Sequence, residues 1–127
     1  MSCEHVVVAV PHAHMRRVVA QGLKAGARCL TVIASGGDPA EERALAELVR
    51  ARGARLLGPN CMGLVDTTTQ LRLSWGDFPV GAVGLVSQSG NLALEIGRLL
   101  ARADRASPAS SPSATSGTST RRTPWTR

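Results

Sequence analysis

Apolar positions along this chain alternate between two periods. Val6-Val7-Val8-Ala9-Val10 is a continuous apolar run ended by Pro11, the pattern of a strand buried on both faces. From about His14 to Lys24 the period lengthens, so that Met15, Val18, Val19 and Leu23 share one helical face, and Gly26 marks the end. Cys29 to Ala34 reads as a second buried strand, closed by Ser35-Gly36-Gly37. Asp38 then suits an N-cap, Pro39 the first helical position, and Glu41 and Glu42 the first turn of a second helix. Its buried stripe is Leu45, Leu48 and Val49, and Gly53 stops it. Arg55-Leu56-Leu57 is a short strand running into Gly58-Pro59-Asn60.

Beyond this the pattern changes. Leu64 to Pro79 has no clean period and reads as a connection between two units. A further strand is expected over Ala82 to Val86, then the turn Ser87-Gln88-Ser89-Gly90, then a helix from about Asn91. Leu92, Ile96, Leu99 and Leu100 would form the apolar face of that helix.

Strand–helix–strand–helix–strand at this spacing demands parallel strands and right-handed crossovers, which predicts an α/β fold with a doubly wound sheet. Ligands of such sheets gather at the carboxyl ends of the strands. Those ends carry Pro11-His12, Ser35-Gly36-Gly37 and Gly58-Pro59-Asn60, all small or turn-forming, so that a ligand could approach the backbone closely.

The formal charge of +6 first suggests a nucleic-acid partner. Its distribution argues otherwise. Lys24 is the one lysine, the arginines are scattered over helix faces, and aromatic stacking residues are almost absent. Cys3, Cys29 and Cys61 are odd in number and form no CxxC pair, as expected in a reducing compartment, here the cytoplasm. The valine run is too short for a signal peptide or a membrane span, so no membrane association is expected. His12 and His14, two residues apart, face different sides of a helix and have no third ligand nearby, which leaves no metal site. Cys61 has no visible base and reads as structural. From Ser107 the chain turns to Ser, Thr, Pro, Ala and Arg, a composition that cannot offset the entropy of ordering it.

One segment could hold charge. Ser87-Gln88-Ser89-Gly90, between a buried strand and an amphipathic helix, would place two hydroxyls and free backbone N–H groups at the positive end of a helix dipole. That arrangement suits a phosphate or carboxylate, although the same residues also serve as plain helix caps.

The strings GARLLGPNCMGLVD (Gly53 to Asp66) and VGAVGLVSQSGNLALEIGRLLAR (Val80 to Arg102) resemble the CoA-binding subunit of succinyl-CoA synthetase. They resemble still more closely the NDP-forming acyl-CoA synthetases (acetate–CoA ligases). The runs Val6 to Pro11 and Thr31 to Gly37 match the corresponding strands, so the resemblance spans residues 4 to 103. It implies part of a CoA-binding Rossmann-like domain over 1–79 and the first strand and helix of a flavodoxin-like succinyl-CoA ligase domain over 80–105, while composition leaves 106–127 as an expected disordered tail.

By the same resemblance, Pro11, Ile33, Ala34, Ser35, Gly36 and Asn60 would border CoA. Ser87, Gln88, Ser89 and Gly90 would face the phosphate of a phosphorylated histidine. The implied reaction joins a carboxylic acid to CoA through acyl phosphate and phosphohistidine. ATP or ADP would be used by other parts of the enzyme, with an ATP-grasp domain or subunit as partner.

Two features of the family are expected to be missing. No Gly-rich phosphate loop precedes the first strand, and none of His5, His12 and His14 holds the place of the phosphorylated histidine. The chain is therefore expected to be inactive alone, with no catalytic residue of its own; the alternative is a CoA- or nucleotide-binding module working with partner chains. Read two bases out of register, the codons permitted for the tail accommodate a family-like run, so the tail is expected to be a frameshift product.

Overall fold

The computed structural model describes residues 3–106; of the tail expected over 106–127, Ala106 instead ends the last described helix and 107–127 lie outside the described residues. Three parallel strands, β1 (His5–Val8), β2 (Cys29–Val32) and β3 (Arg55–Leu57), form one sheet in that order. Helix α1 (His12–Lys24) joins β1 to β2, and α2 (Pro39–Arg50) joins β2 to β3. Two right-handed crossovers stepping the same way along a sheet put both helices on one face, so this is a single winding of the expected doubly wound arrangement.

Register decides which residues that face receives. Val6, Leu30 and Leu56 are aligned across the three strands, and Val8 is aligned with Val32. Val8, Leu30 and Val32 meet Met15, Val19 and Leu23 of α1 and Leu45 and Val49 of α2 in one buried cluster. Each such side chain, taken fully out of water, stabilises the fold by about 1.5–3 kcal/mol. Gly22 of α1 lies close against Leu30 and Val6, where an added Cβ would just reach van der Waals contact.

The opposite face is only partly covered. Val7 is 39% exposed and Leu57 37%, so β1 is not the strand buried on both sides that its apolar run predicts. The most buried strand is β2, which alone has neighbours on both edges and buries Leu30, Thr31 and Val32. Its Thr31 turns to the partly covered face, is wholly buried, and pairs its hydroxyl with His5 Nε2 at 2.9 Å.

Element ends follow local chemistry. Strand β1 stops at Val8, two residues before the end of the apolar run, and α1 begins at His12 rather than His14. Asp38 caps α2 by accepting from the amides of Ala40 (2.8 Å) and Glu41 (2.9 Å), while Glu41 Oε2 accepts from the Asp38 amide at 3.1 Å. This closes a reciprocal capping box.

Between Leu64 and Pro79 the sequence offers no period, yet a small antiparallel hairpin forms: β4 (Val65–Asp66) against β5 (Leu71–Arg72). Asp66 organises its turn. Its carboxylate accepts from the hydroxyls of Thr68 (2.6 Å) and Thr69 (2.8 Å) and from the Thr68 amide (2.9 Å). Gly63 admits the second strand, since a Cβ there would collide with the carbonyl of Leu73.

The strand expected over Ala82 to Val86 is not formed; the segment pairs with no described strand, and Val80, Val83 and Val86 face solvent. An apolar run becomes a strand only where a ladder satisfies its backbone groups. Helix α3 (Gly90–Ala106) does form. Of the expected face, Ile96 and Leu100 are half-buried while Leu92 and Leu99 are more than half exposed. Ala93 and Gly97 are buried, with Phe78 lying against Gly97. No described helix is long and apolar enough to cross a membrane.

Two predictions follow from the caps. Asp38→Ala is expected to lower the unfolding free energy by about 1 kcal/mol, measured by urea denaturation. The Thr68 and Thr69 hydroxyls hold the Asp66 carboxyl down at about 2, against an ordinary value of about 3.9. A depressed carboxylate contributes order that is complete above the unfolded value and is lost as the pH falls through the folded one. The Thr68 and Thr69 amide resonances should therefore shift between about pH 4 and pH 2, and Asp66→Asn should abolish that dependence.

Candidate functional site

The carboxyl ends of β1, β2 and β3 converge on one edge, and three loops meet there. Pro11 stands at the N-terminus of α1. Ile33 donates its amide to the Val8 carbonyl at 3.0 Å, and Asn60 donates its amide to the Ala34 carbonyl at 2.9 Å. Gly36, at φ +114°, lies against His12. Of the expected residues, Ala34 and Asn60 are thus joined directly by a backbone bond, Ile33 is tied to the end of β1, Gly36 meets the His12 side chain, Pro11 bonds only within the start of α1, and Ser35 stands exposed.

The loop after β3 is held down by the end of β2. Gly58 has φ +94°, and a Cβ there would strike the carbonyl of Val32, so this position requires glycine. The Cys61 thiol donates to the same Val32 carbonyl at 3.2 Å. Burial pushes the Cys61 thiol up from its usual range, outweighing the backbone hydrogen bonds that pull it down. A thiol kept protonated is a poor nucleophile, which agrees with a structural role.

The two helices that open onto this edge differ in charge. At the N-terminus of α1 no side chain caps the helix and no acidic residue stands in the first turn. At α2 the amides are already engaged by Asp38, with Glu41 and Glu42 beside them. An anion is therefore favoured at α1 and disfavoured at α2. A cleft of about 430 Å³ lies between them, lined by His12 and Arg16 from α1, Glu41 and Leu45 from α2, and Pro59.

A second cavity, of about 850 Å³, is lined by both motif segments: Asn60, Cys61 and Met62 on one side, Ser87, Gln88 and Gly90 on the other. Met62 lies against Gly90, where an added Cβ would come within 3.2 Å of its side chain. At the turn itself Ser89 caps α3, accepting from the Leu92 amide at 3.3 Å. The Ser87 hydroxyl donates to the Ser89 carbonyl at 2.9 Å and accepts from the Ser89 amide at 3.2 Å. The helical half of the expected strand-to-helix junction is present and the strand half is not. The Ser87 hydroxyl is engaged as donor and acceptor within the turn, whereas the Ser89 hydroxyl only accepts and keeps its proton to donate.

Sequence reasoning weighed His12 at the strand end, as a metal ligand and as a phosphorylated histidine, and missed its pairing with Glu41, whose Oε2 lies 3.3 Å from His12 Nε2 across the cleft. The available sign was the place of His12 immediately after Pro11, at a strand end. His14, two residues on, is exposed on another side of α1. Among the described residues no group of three or more His, Cys, Asp or Glu side chains is disposed to hold a metal ion.

Residues 1–67 match the sequence profile of a CoA binding domain. The chain is 34% identical over 98 residues to the alpha subunit of acetate–CoA ligase (ADP-forming) I from Pyrococcus furiosus, a match covering 71% of this chain and 21% of that protein. It is 32% identical over 95 residues to subunit alpha 2 of succinate–CoA ligase (ADP-forming) from Archaeoglobus fulgidus, covering 71% of this chain and 32% of that one. The structure superimposes on a dinucleotide forming acetyl-coenzyme A synthetase 1 from Ca. Korarchaeum cryptofilum, solved with phosphate and ADP, at a TM-score of 0.73 and 30% identity. That match covers 78% of this chain and 23% of the synthetase. The chain thus spans between about a fifth and a third of the length of these relatives.

The environment of Cys61 sets a reactivity order. Under native conditions an iodoacetamide time course followed by mass spectrometry should label exposed Cys3 at least about tenfold faster than Cys61, and urea should erase the difference.

Proposed function

Since the chain belongs to the CoA binding domain family, we propose that the carboxyl edge of its sheet holds coenzyme A, bordered by Pro11, Ile33, Ala34, Ser35, Gly36 and Asn60. The observation that supports this reading is the convergence of three strand ends built from small or turn-forming residues. Gly36 and Gly58 keep the backbone low, and the Asn60 and Ala34 loops are tied to each other. The uncapped N-terminus of α1, with Arg16 nearby, suits a phosphate-bearing ligand. Coenzyme A supplies the thiol that takes up an acyl group.

The reaction in which we place that cofactor is acid–CoA ligation of the NDP-forming kind, the activity named for the ligases it is similar to. On this reading residues 1–79 are the CoA-binding unit and residues 80–105 open a second one. Ser87, Gln88, Ser89 and Gly90 would face a phosphate there, α3 offering its N-terminal dipole. Acyl phosphate, phosphohistidine and ATP or ADP chemistry would fall to residues beyond those described, with an ATP-grasp domain or subunit as partner, in the cytoplasm. The Thr31 hydroxyl that pairs with His5 is wholly buried, out of reach of a ligand, and on this reading the part this chain plays is to hold the cofactor.

Isothermal titration of the full chain with CoA tests this. Saturable binding at one site is expected, in the micromolar range. Ser35→Leu, a substitution at an exposed position, should weaken it about tenfold with the melting temperature unchanged. Absence of binding, or binding that ignores Ser35→Leu, would sink the assignment.

A further inference from the structure

The cleft between α1 and α2 is crossed by one polar contact. His12 Nε2 lies 3.3 Å from Glu41 Oε2, and that same oxygen accepts the amide of Asp38 at 3.1 Å. One carboxylate oxygen therefore serves both the cap of α2 and the first residue of α1. The imidazole lies against the loop between them: a Cβ placed on Gly37 would sit 3.1 Å from His12 Nε2, and one on Gly36 would sit 3.5 Å from His12 Cβ. The ring covers two glycines that present no side chain to hold the loop by themselves. The other charged groups lining the cleft are Arg16 and Glu42, while the loop after β3 contributes only Pro59. Asp38 keeps its carboxylate on the Ala40 and Glu41 amides.

From this geometry we infer that His12 is a positioning residue: by bridging to Glu41 over Gly36 and Gly37 it fixes the loop after β2 in the form that receives the ligand. The inference rests on the carboxyl-edge reading for its ligand and on the contacts alone for the clasp. A loop of Ser, Gly and Gly loses much entropy when a ligand orders it. A side chain that orders it beforehand removes that cost from binding.

The test uses the full chain and three variants. His12→Ala removes the bridge. Gly37→Ala keeps both partners but presses a methyl against the ring. His12→Gln retains an N–H within reach of Glu41. Backbone 15N order parameters of Gly36 and Gly37, measured by NMR relaxation without ligand, should fall in His12→Ala and Gly37→Ala and stay near the parent values in His12→Gln. CoA affinity by titration should fall about tenfold in the first two and recover to within about threefold in the third, at nearly constant melting temperature.

Order parameters unchanged in His12→Ala and Gly37→Ala overturn the clasp. Lower order parameters with undiminished affinity overturn its role in binding. A parent chain that binds no CoA defeats the carboxyl-edge reading instead, and the order parameters then decide the clasp by themselves.

Discussion

The Val32 carbonyl at the end of β2 ties the fold to its candidate site. Strand β2 is the only one of the three with a neighbour on each edge, and its Leu30, Thr31 and Val32 are wholly buried. Its position is therefore fixed by two ladders and by the helix-covered core together. The last carbonyl of that strand accepts the Cys61 thiol and lies against Gly58, so the loop after β3 takes its place from β2. Ile33 and Ala34, immediately beyond, are bonded to Val8 and Asn60. Every backbone segment on the carboxyl edge is thus referred to one buried strand. Loops carry function when a rigid scaffold positions them, and here that scaffold is four residues long.

Charge is distributed unevenly about this edge. Helix α2 satisfies its own N-terminus through Asp38 and Glu41 and gathers acidic groups there, whereas α1 has no side-chain cap and basic residues in its first turns. The two helix ends lie on either side of one cleft, yet only one of them is suited to an anion. The +6 formal charge says little about this, because the arginines are spread over helices, strands and loops and only Arg16 lines the cleft. The polarity of the site comes from capping, which is a local property, and not from net charge.

Most of the αβ unit was legible in the sequence. The Asp38-Pro39 start of α2, its buried Leu45 and Val49, and the β2 run follow from period and capping chemistry that act within a few residues. The carboxyl-edge loops were legible because Gly and Pro mark strand ends. What escaped needed contacts distant in sequence. The burial of β1 depends on having neighbours on both sides, which its own valines do not reveal. Two-residue strands such as β4 and β5 leave no period, and the one local clue was Asp66 followed by threonines that can close onto its carboxylate. The His12–Glu41 pair joins two helices and could not be read from spacing along either.

The segment from Val80 to Gly90 shows where local and non-local order part. Residues 90–106 need only their own i to i+4 bonds and a cap, which Ser89 supplies, so the helix forms. Residues 82–86 are at least as apolar as β1, but a strand's amides and carbonyls need a neighbour, and none of the described strands lies beside them. The turn between them responds by satisfying itself: the Ser87 hydroxyl bonds to the backbone of Ser89, and Ser89 bonds to the helix. An anion at this turn would have to compete with those bonds, each worth about 0.5–1.5 kcal/mol net. A strand ladder on Ala82 to Val86 would fix Ser87 in extended backbone and draw its hydroxyl away from Ser89. Whatever paired with such a strand would therefore also set how open the turn is to an anion, which ties the local chemistry of the turn to a non-local partner.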